Sequence, residues 1–292
     1  MKTLTIVIGV VAYLLLAPLF GGLLAGLDRR VTARMQGRVG PPLLQPFYDV
    51  LKLREKEEIS VNKVQDFYVG CFLIFMIITG SLFFGGGDLL LVIFALTLAS
   101  IFLVLAAFSS NSPYSQVGAE RELLQMMAYE PMVLLVAVGF YLATGSFTVR
   151  EIVNGPVMPL LLLPGFFIGF VFVLTIKLRK SPFDLSTSHH AHQELVKGLT
   201  TEFSGKTLAM VEIAHWYENI FLLGVVYLFI AFAAGWSPIL GVLVCLMVYL
   251  LEIFIDNSFA RMKWQVALNS AWLVALTFGF INLLVLYYIR KF

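Results

Sequence analysis

The chain has 292 residues, 60% of them apolar and only 13% charged. Soluble domains carry about 25% charged and 45–50% apolar residues, so the composition points to a polytopic membrane protein. A net charge of +2 gives no bulk attraction for nucleic acid, and the two cysteines, Cys71 and Cys245, lie in apolar runs without a CxxC pattern. They cannot hold an iron–sulfur cluster alone, since such clusters generally take four Cys ligands.

A membrane helix needs about 20 apolar residues to cross roughly 30 Å of hydrocarbon. Eight stretches qualify, at about 4–27, 67–84, 89–108, 124–143, 159–178, 208–234, 237–256 and 265–289. The first is expected to be an uncleaved helix rather than a leader. A signal peptide carries its positive charge ahead of the apolar core; here Lys2 stands alone in front, and Arg29, Arg30, Arg34 and Arg38 follow. The expected fold is all-α and polytopic: a single membrane domain over 1–292 with about eight transmembrane helices. Gly85-Gly86-Gly87-Asp88 predicts a tight hairpin between the second and third spans, and Gly235 with Pro238 a short join between the sixth and seventh.

Sixteen of the twenty Lys and Arg fall in the loops after the first, third, fifth and seventh spans, counting Lys177 with its loop. That bias puts these loops in the cytoplasm and both termini outside, as expected of a multi-pass membrane protein. The large cytoplasmic surfaces are then 28–66 and 179–207. In the first, Pro46 can open a helix, and Phe47, Val50, Leu51 and Arg54 follow at helical spacing, which predicts a short amphipathic helix on the membrane surface. The connection from Asn111 to Gln125 carries Glu120, Arg121 and Glu122.

The stretch Lys177–Lys206 holds three of the four histidines, His189, His190 and His192, together with Asp184, Glu194 and Glu202. Imidazole and carboxylate suit zinc or nickel, but HHxHxE matches neither a helical HxxxH nor a closed site. A docking surface for soluble partners explains the loop better, with no metal bound. Within the spans stand Glu130, Glu212, His215 and Glu218. An Asp at a helix centre costs about 2.5–3.5 kcal/mol on insertion scales, and such groups face a bundle interior or water and mark ion paths. Glu212, His215 and Asn219 share a helix face, with Glu218 about one step round. Glu252 and Asp256 close the seventh span, four apart on one face, suited to an interfacial or a relay role. The residues alone support three functions: the membrane arm of a proton- or sodium-coupled complex, a metal transporter, or a structural anchor. A pure anchor has no need of the intramembrane acids. No Ser-His-Asp elbow, phosphate-cradling loop or CxxC pair is present, so no catalytic residue is expected in this chain.

Several motifs resemble one family along the whole chain. They are Ala33-Arg34-Met35-Gln36-Gly37-Arg38-Val39-Gly40-Pro41-Pro42 with Leu44-Gln45-Pro46; Asn111-Ser112-Pro113-Tyr114 with Gln125-Met126-Met127-Ala128-Tyr129-Glu130; Ser181-Pro182-Phe183-Asp184-Leu185; Glu194-Leu195-Val196-Lys197-Gly198; Thr201-Glu202-Phe203-Ser204-Gly205; and Phe259-Ala260-Arg261. This set resembles the eight-helix membrane subunit shared by respiratory complex I, where it is quinone-proximal, and the energy-converting membrane-bound [NiFe] hydrogenases. Lys177 stands where complex I has an acid five residues before the PFD proline. A histidine-rich insert replaces the acids after PFDL, and His215 replaces a glutamate. These departures look like the Ech-type hydrogenase branch.

The resemblance implies a membrane-anchoring and ion-coupling subunit with no redox cofactor of its own. Its partners would be the hydrogenase large subunit with the [NiFe] centre, the small subunit with iron–sulfur clusters, an antiporter-like membrane subunit and the lipid bilayer, with ferredoxin served through the complex. Arg34, Arg38, Asp184, Glu194 and Glu202, with the three loop histidines, would dock the soluble arm and couple it. Glu130, Glu212, His215 and Glu218 would relay ions. The alternative is the quinone-proximal subunit of a complex I-like NADH dehydrogenase.

Overall fold

Backbone polar groups that leave water must pair within their own segment, so apolar runs of this length become helices. The computed structural model describes residues 2–57, 62–180, 182–187 and 194–291. The helices are α1 (Lys2–Met35), α2 (Gln45–Glu55), α3 (Lys63–Phe84), α4 (Leu89–Phe108), α5 (Pro113–Thr144), α6 (Val149–Val153), α7 (Pro164–Lys177), α8 (Gly205–Ile230), α9 (Ser237–Ser258), α10 (Trp264–Val274) and α11 (Ile281–Lys291). A π-helical stretch, Ala275–Phe280, joins α10 and α11 into one rod. Among the described residues, seven helices are long and apolar enough to cross a membrane, and α7 is a shorter apolar helix. Seven of the eight expected spans are therefore matched by helices of membrane-crossing length, with altered boundaries, and the fifth is matched only by the shorter α7.

Helix α8 is the central post. Its apolar window is 72% buried, against 22% for α1 and for the Trp264–Ile289 rod. Helix α3 of the α3–α4 hairpin, α1, α2 and α9 pack around it. The hairpin turn forms as expected: Gly86 takes φ 78°, and Asp88 caps α4 by accepting from the Leu90 and Leu91 amides at 2.9 and 3.2 Å. The expected surface helix is α2, whose Phe47 packs at a tilt against Trp216 of α8, 5.1 Å between ring centroids.

Two expectations need correction. The fourth span begins at Pro113 rather than near 124, because Pro113 suits a first helical turn and α5 simply continues to Thr144. Glu120, Arg121 and Glu122 therefore sit on a helix, and the connection after α4 shrinks to 109–112. The fifth span is not one helix over 159–178. Pro159 and Pro164 confine it to a 3₁₀ turn, Pro159–Leu161, and the 14-residue α7. At 1.5 Å per residue α7 is about 21 Å long, short of the hydrocarbon.

Irregular backbone at such depth is tolerated only where protein satisfies its polar groups, and Asn282 of α11 does so. Its Oδ1 accepts from Gly165 N at 2.8 Å and Phe166 N at 3.4 Å, and its Nδ2 donates to Leu162 O at 3.0 Å. Asn282→Leu strips all three groups of their partner. Leaving even one buried backbone group unpaired costs about 1–3 kcal/mol. We expect a clear fall in the thermal midpoint of the detergent-purified complex, while Asn154→Leu, exposed at the end of α6, leaves it near wild type.

Candidate functional site

Helix α7 ends at Lys177, and the chain then turns sharply because Arg179 adopts a left-handed φ of 56°. That conformation costs a non-glycine residue of order 1–3 kcal/mol. The turn sends three successive cations to separate partners. Lys177 Nζ donates to Glu218 Oε1 at 3.0 Å, and each side chain is only 6% exposed. The same ammonium lies 4.4 Å from the centroid of the Tyr129 ring and 3.5 Å from Ser100 Oγ. On the other oxygen, His215 Nδ1 is 3.3 Å from Glu218 Oε2. Arg179 Nη1 approaches His215 Nε2 at 2.5 Å. A guanidinium can only donate, so Nε2 accepts and the imidazole proton sits on Nδ1, pointing at Glu218. The result is one continuous polar chain, Lys177–Glu218–His215–Arg179, running from the bundle interior to the loop.

Lys180, the third cation, is 2.6 Å from Asp28 Oδ2 and 4.0 Å from Asp256 Oδ2. Between these groups lies a cavity of about 250 Å³ lined by Asp28, Arg179, Glu212, His215, Glu218 and Asp256, among others. It has room for several waters, each about 30 Å³ in the liquid.

A second network roofs this region. Arg121 of α5 donates to Asp184 at 2.8 Å and to Glu194 at 2.9 Å, and its guanidinium packs over Trp264 at 5.7 Å. Ser186 donates to Glu122. The Asp184 amide donates to Met262 O at 3.0 Å, and the Met262 amide to Pro182 O at 2.7 Å, which ties the PFD segment to the α9–α10 connection. Gly118 lets α5 approach the Gly198–Thr200 turn, since an added Cβ would stand 2.5 Å from Leu199 N. Burial pushes the Asp184 carboxyl above its ordinary range, against the pull of Arg121. Arg121, through its hydrogen bond and charge, holds the Glu194 carboxyl below its ordinary range.

Of the expected relay residues, His215 and Glu218 are in direct contact and Glu212 lines the same cavity. Glu130 stands apart on α5, half-buried; the charge of Lys177 acts on it, but no hydrogen bond or ion pair holds it among the described residues. Of the expected docking residues, Arg34 and Arg38 are exposed at the end of α1, and Arg38 donates to Gln36 at 2.6 Å. Glu194 is 59% exposed, whereas the Asp184 side chain is only 10% exposed and locked to Arg121. Glu202 is half-buried, its backbone carbonyl accepting from Gln65 at 3.5 Å. His189, His190 and His192 lie outside the described residues. Among those described, no cluster of three or more His, Cys, Asp or Glu is placed to hold a metal.

Sequence reasoning missed Lys177, Arg179, Lys180 and Arg121 as organising groups. Lys177 was legible as a departure from the family pattern, but its partner lies 41 residues away on α8.

Breaking a buried pair from one side costs about 3–5 kcal/mol, because the other charge is left uncompensated. We expect Lys177→Met and Glu218→Leu each to destabilise the purified complex strongly, and the double variant by much less than their sum, measured as thermal midpoints. Glu194 gives a pH signature. Its folded carboxyl lies below its unfolded value, so its contribution is present above the unfolded value and is lost as pH falls through the folded one. Limited proteolysis after residue 194 should therefore speed up with acidification, and Glu194→Gln should flatten that dependence.

Comparison with known proteins places these features in a family. Residues 7–287 match the family model described as NADH dehydrogenase. Hydrogenase-4 component C of Escherichia coli is 29% identical, covering 90% of this chain and 89% of that protein. An NADH-quinone oxidoreductase subunit of Bacillus cytotoxicus is 31% identical, covering 93% and 90%. A chain from the structure of the membrane-bound sulfane sulfur reductase, described as an archaeal respiratory membrane complex, superposes with a TM-score of 0.81 at 25% identity, covering 95% of this chain and 99% of that one. With a match that spans nearly its whole length, the chain belongs to the NADH dehydrogenase family of membrane subunits.

Proposed function

We propose that this chain is the anchoring and ion-coupling membrane subunit of an energy-converting [NiFe] hydrogenase. Its relatives are subunits of hydrogenase and NADH-quinone oxidoreductase complexes, which supports membership of a larger oxidoreductase complex. One observation carries the coupling role: the buried Lys177–Glu218–His215–Arg179 chain connects the polar loop to the interior of α8. A structural anchor has no use for such a chain, because its desolvation is costly.

The mechanism follows from these contacts. The soluble arm, with the hydrogenase large subunit and the iron–sulfur small subunit, sits on 28–66 and 179–207 in the cytoplasm. Arg34, Arg38 and Glu194 offer exposed charge, and Asp184 and Glu202 hold the loop beneath. A change in charge above the loop pulls on Arg179. Arg179 then weakens or strengthens its hold on His215, and His215 does the same to Glu218. Glu218 shares its charge between His215 and Lys177, so the change reaches Lys177 and, through its field, Glu130. Moving one charge against 100 mV requires about 2.3 kcal/mol, within reach of one altered pairing at a buried carboxylate. Ions then pass toward an antiporter-like partner. The [NiFe] centre and clusters belong to the partner subunits, both termini face outside, and the complex resides in a prokaryotic inner membrane.

A second reading is the quinone-proximal subunit of a complex I-like dehydrogenase, favoured by the 31% identity to the Bacillus cytotoxicus NADH-quinone oxidoreductase chain. Lys177 and the histidine-rich loop favour the hydrogenase reading. Purification of the intact complex in mild detergent separates the two. Nickel with ferredoxin-dependent hydrogen evolution is expected; quinone reduction without nickel would select the other reading. In vesicles, Glu130→Gln and Glu212→Gln should lower the ions moved per electron pair, and wild-type ratios in both would remove them from the path.

A further inference from the structure

One buried acid is not used by this mechanism. Glu252 of α9 is 0% exposed, and among the described residues neither carboxyl oxygen has a hydrogen-bond partner. It lies six residues before the end of α9, ~9 Å into the helix at 1.5 Å per residue. An ionisable side chain at such a depth is costly and tends to mark an ion path, and a buried polar group without a partner calls for an explanation of its own.

Its surroundings supply one. Tyr249 and Asp256, about one turn away on either side, both line the 250 Å³ cavity, and Glu252 stands behind that wall. Tyr249 is fixed by donating to Leu24 O of α1 at 3.0 Å. Tyr249 and Ile253 pack with Leu223 of α8 and with Leu24, Val31 and Leu178, so α1 and α8 bring apolar groups to this corner. The charged groups that act on Glu252 are Lys180 and Asp256; Thr175 of α7 stands beside it without completing a hydrogen bond. Lys180 is itself only 4% exposed, held by Asp28 at 2.6 Å with Asp256 at 4.0 Å, and 5.7 Å from the Tyr249 ring centroid. A single ammonium therefore stands between an acid of α1 and an acid of α9.

We propose that Glu252 is a second cation-loading carboxyl, reached from the cavity past Asp256 and gated by the position of Lys180. With Lys180 on Asp28, the field at Glu252 favours uptake of one monovalent cation, a proton or a sodium ion, from the cavity. When Lys180 moves toward Asp256, its charge expels that cation; the carboxylate keeps its electrons and no bond other than the cation's own is broken. The two branches, Lys177–Glu218 and Lys180–Glu252, start from neighbouring residues of one turn, so a single movement of that turn addresses both. This inference rests on the ion-coupling role proposed above.

The test is ion uptake per electron pair by the intact complex in vesicles, comparing wild type, Glu252→Gln and Glu130→Gln. The expected result is that Glu252→Gln lowers the ratio by roughly half or more, since a neutral amide of the same shape takes up no proton and offers a sodium ion no negative charge. A wild-type ratio in Glu252→Gln, with a lowered ratio in Glu130→Gln, overturns the second branch and leaves the coupling role standing. No uptake in the wild type overturns both. Infrared difference spectra of the complex, taken with and without sodium and across pH, give an independent readout. A carboxyl band that responds to either ion and disappears in Glu252→Gln, or shifts in Glu252→Asp should the Gln variant not assemble, supports the assignment. A band set identical to wild type in the variant that assembles contradicts it. The ion that moves the band distinguishes proton from sodium.

Discussion

The arrangement depends on one buried ion pair. Lys177 and Glu218 are both almost fully removed from water and face each other across the α7–α8 interface at 3.0 Å. Neither charge is tolerable alone at that depth, so each fixes the other's helix in rotation and height. The Tyr129 ring and Ser100 complete the site of the ammonium from α5 and α4, and His215 completes that of the carboxylate. Four helices are thereby registered around two charges. A hydrophobic pair would pack as well or better, but it would carry no charge for the proposed coupling to act on.

The shortness of α7 is part of the same design. A helix that spanned the full membrane would end farther from the loop's anchor points on α5 and the α9–α10 connection. Starting at Pro164, α7 delivers Lys177 to the bundle interior and the left-handed Arg179 to the rim within three residues. Asn282 makes this possible from the opposite end by satisfying the backbone that α7 leaves irregular. The strain at Arg179 and the polar load of the Lys177–Lys180 turn are maintained by contacts from α1, α5, α8 and α9, so a displacement of any of these is felt at the turn.

Much of the fold was legible in the sequence. Long apolar runs, the triple-glycine hairpin and Pro46 led to helices that are present, because in a membrane length and hydropathy leave few alternatives. The error at the fifth span had a local sign, Pro159 and Pro164, which mean a broken helix only if another segment can satisfy the exposed amides; Asn282 lies 118 residues beyond Pro164. The site was half legible. The acids of α8 stood out by their cost, and His215 and Glu218 do meet. Hydropathy alone leaves Arg121 and Glu122 in a loop, although Pro113 could equally begin a helix. The partners of Lys177, Arg179 and Lys180 were invisible, since each lies on another helix and pairing across helices leaves no periodicity in the chain.

The most direct test bears on whether the polar chain transmits charge from the loop to the interior. Arg179→Gln leaves the Lys177–Glu218 pair in place but removes the guanidinium that links the loop to His215. Ion uptake and electron transfer should be measured together on the variant complex in vesicles. The expected result is continued electron transfer with a lowered number of ions per electron pair. An unchanged ratio would mean that the chain is a structural clamp and that coupling runs elsewhere.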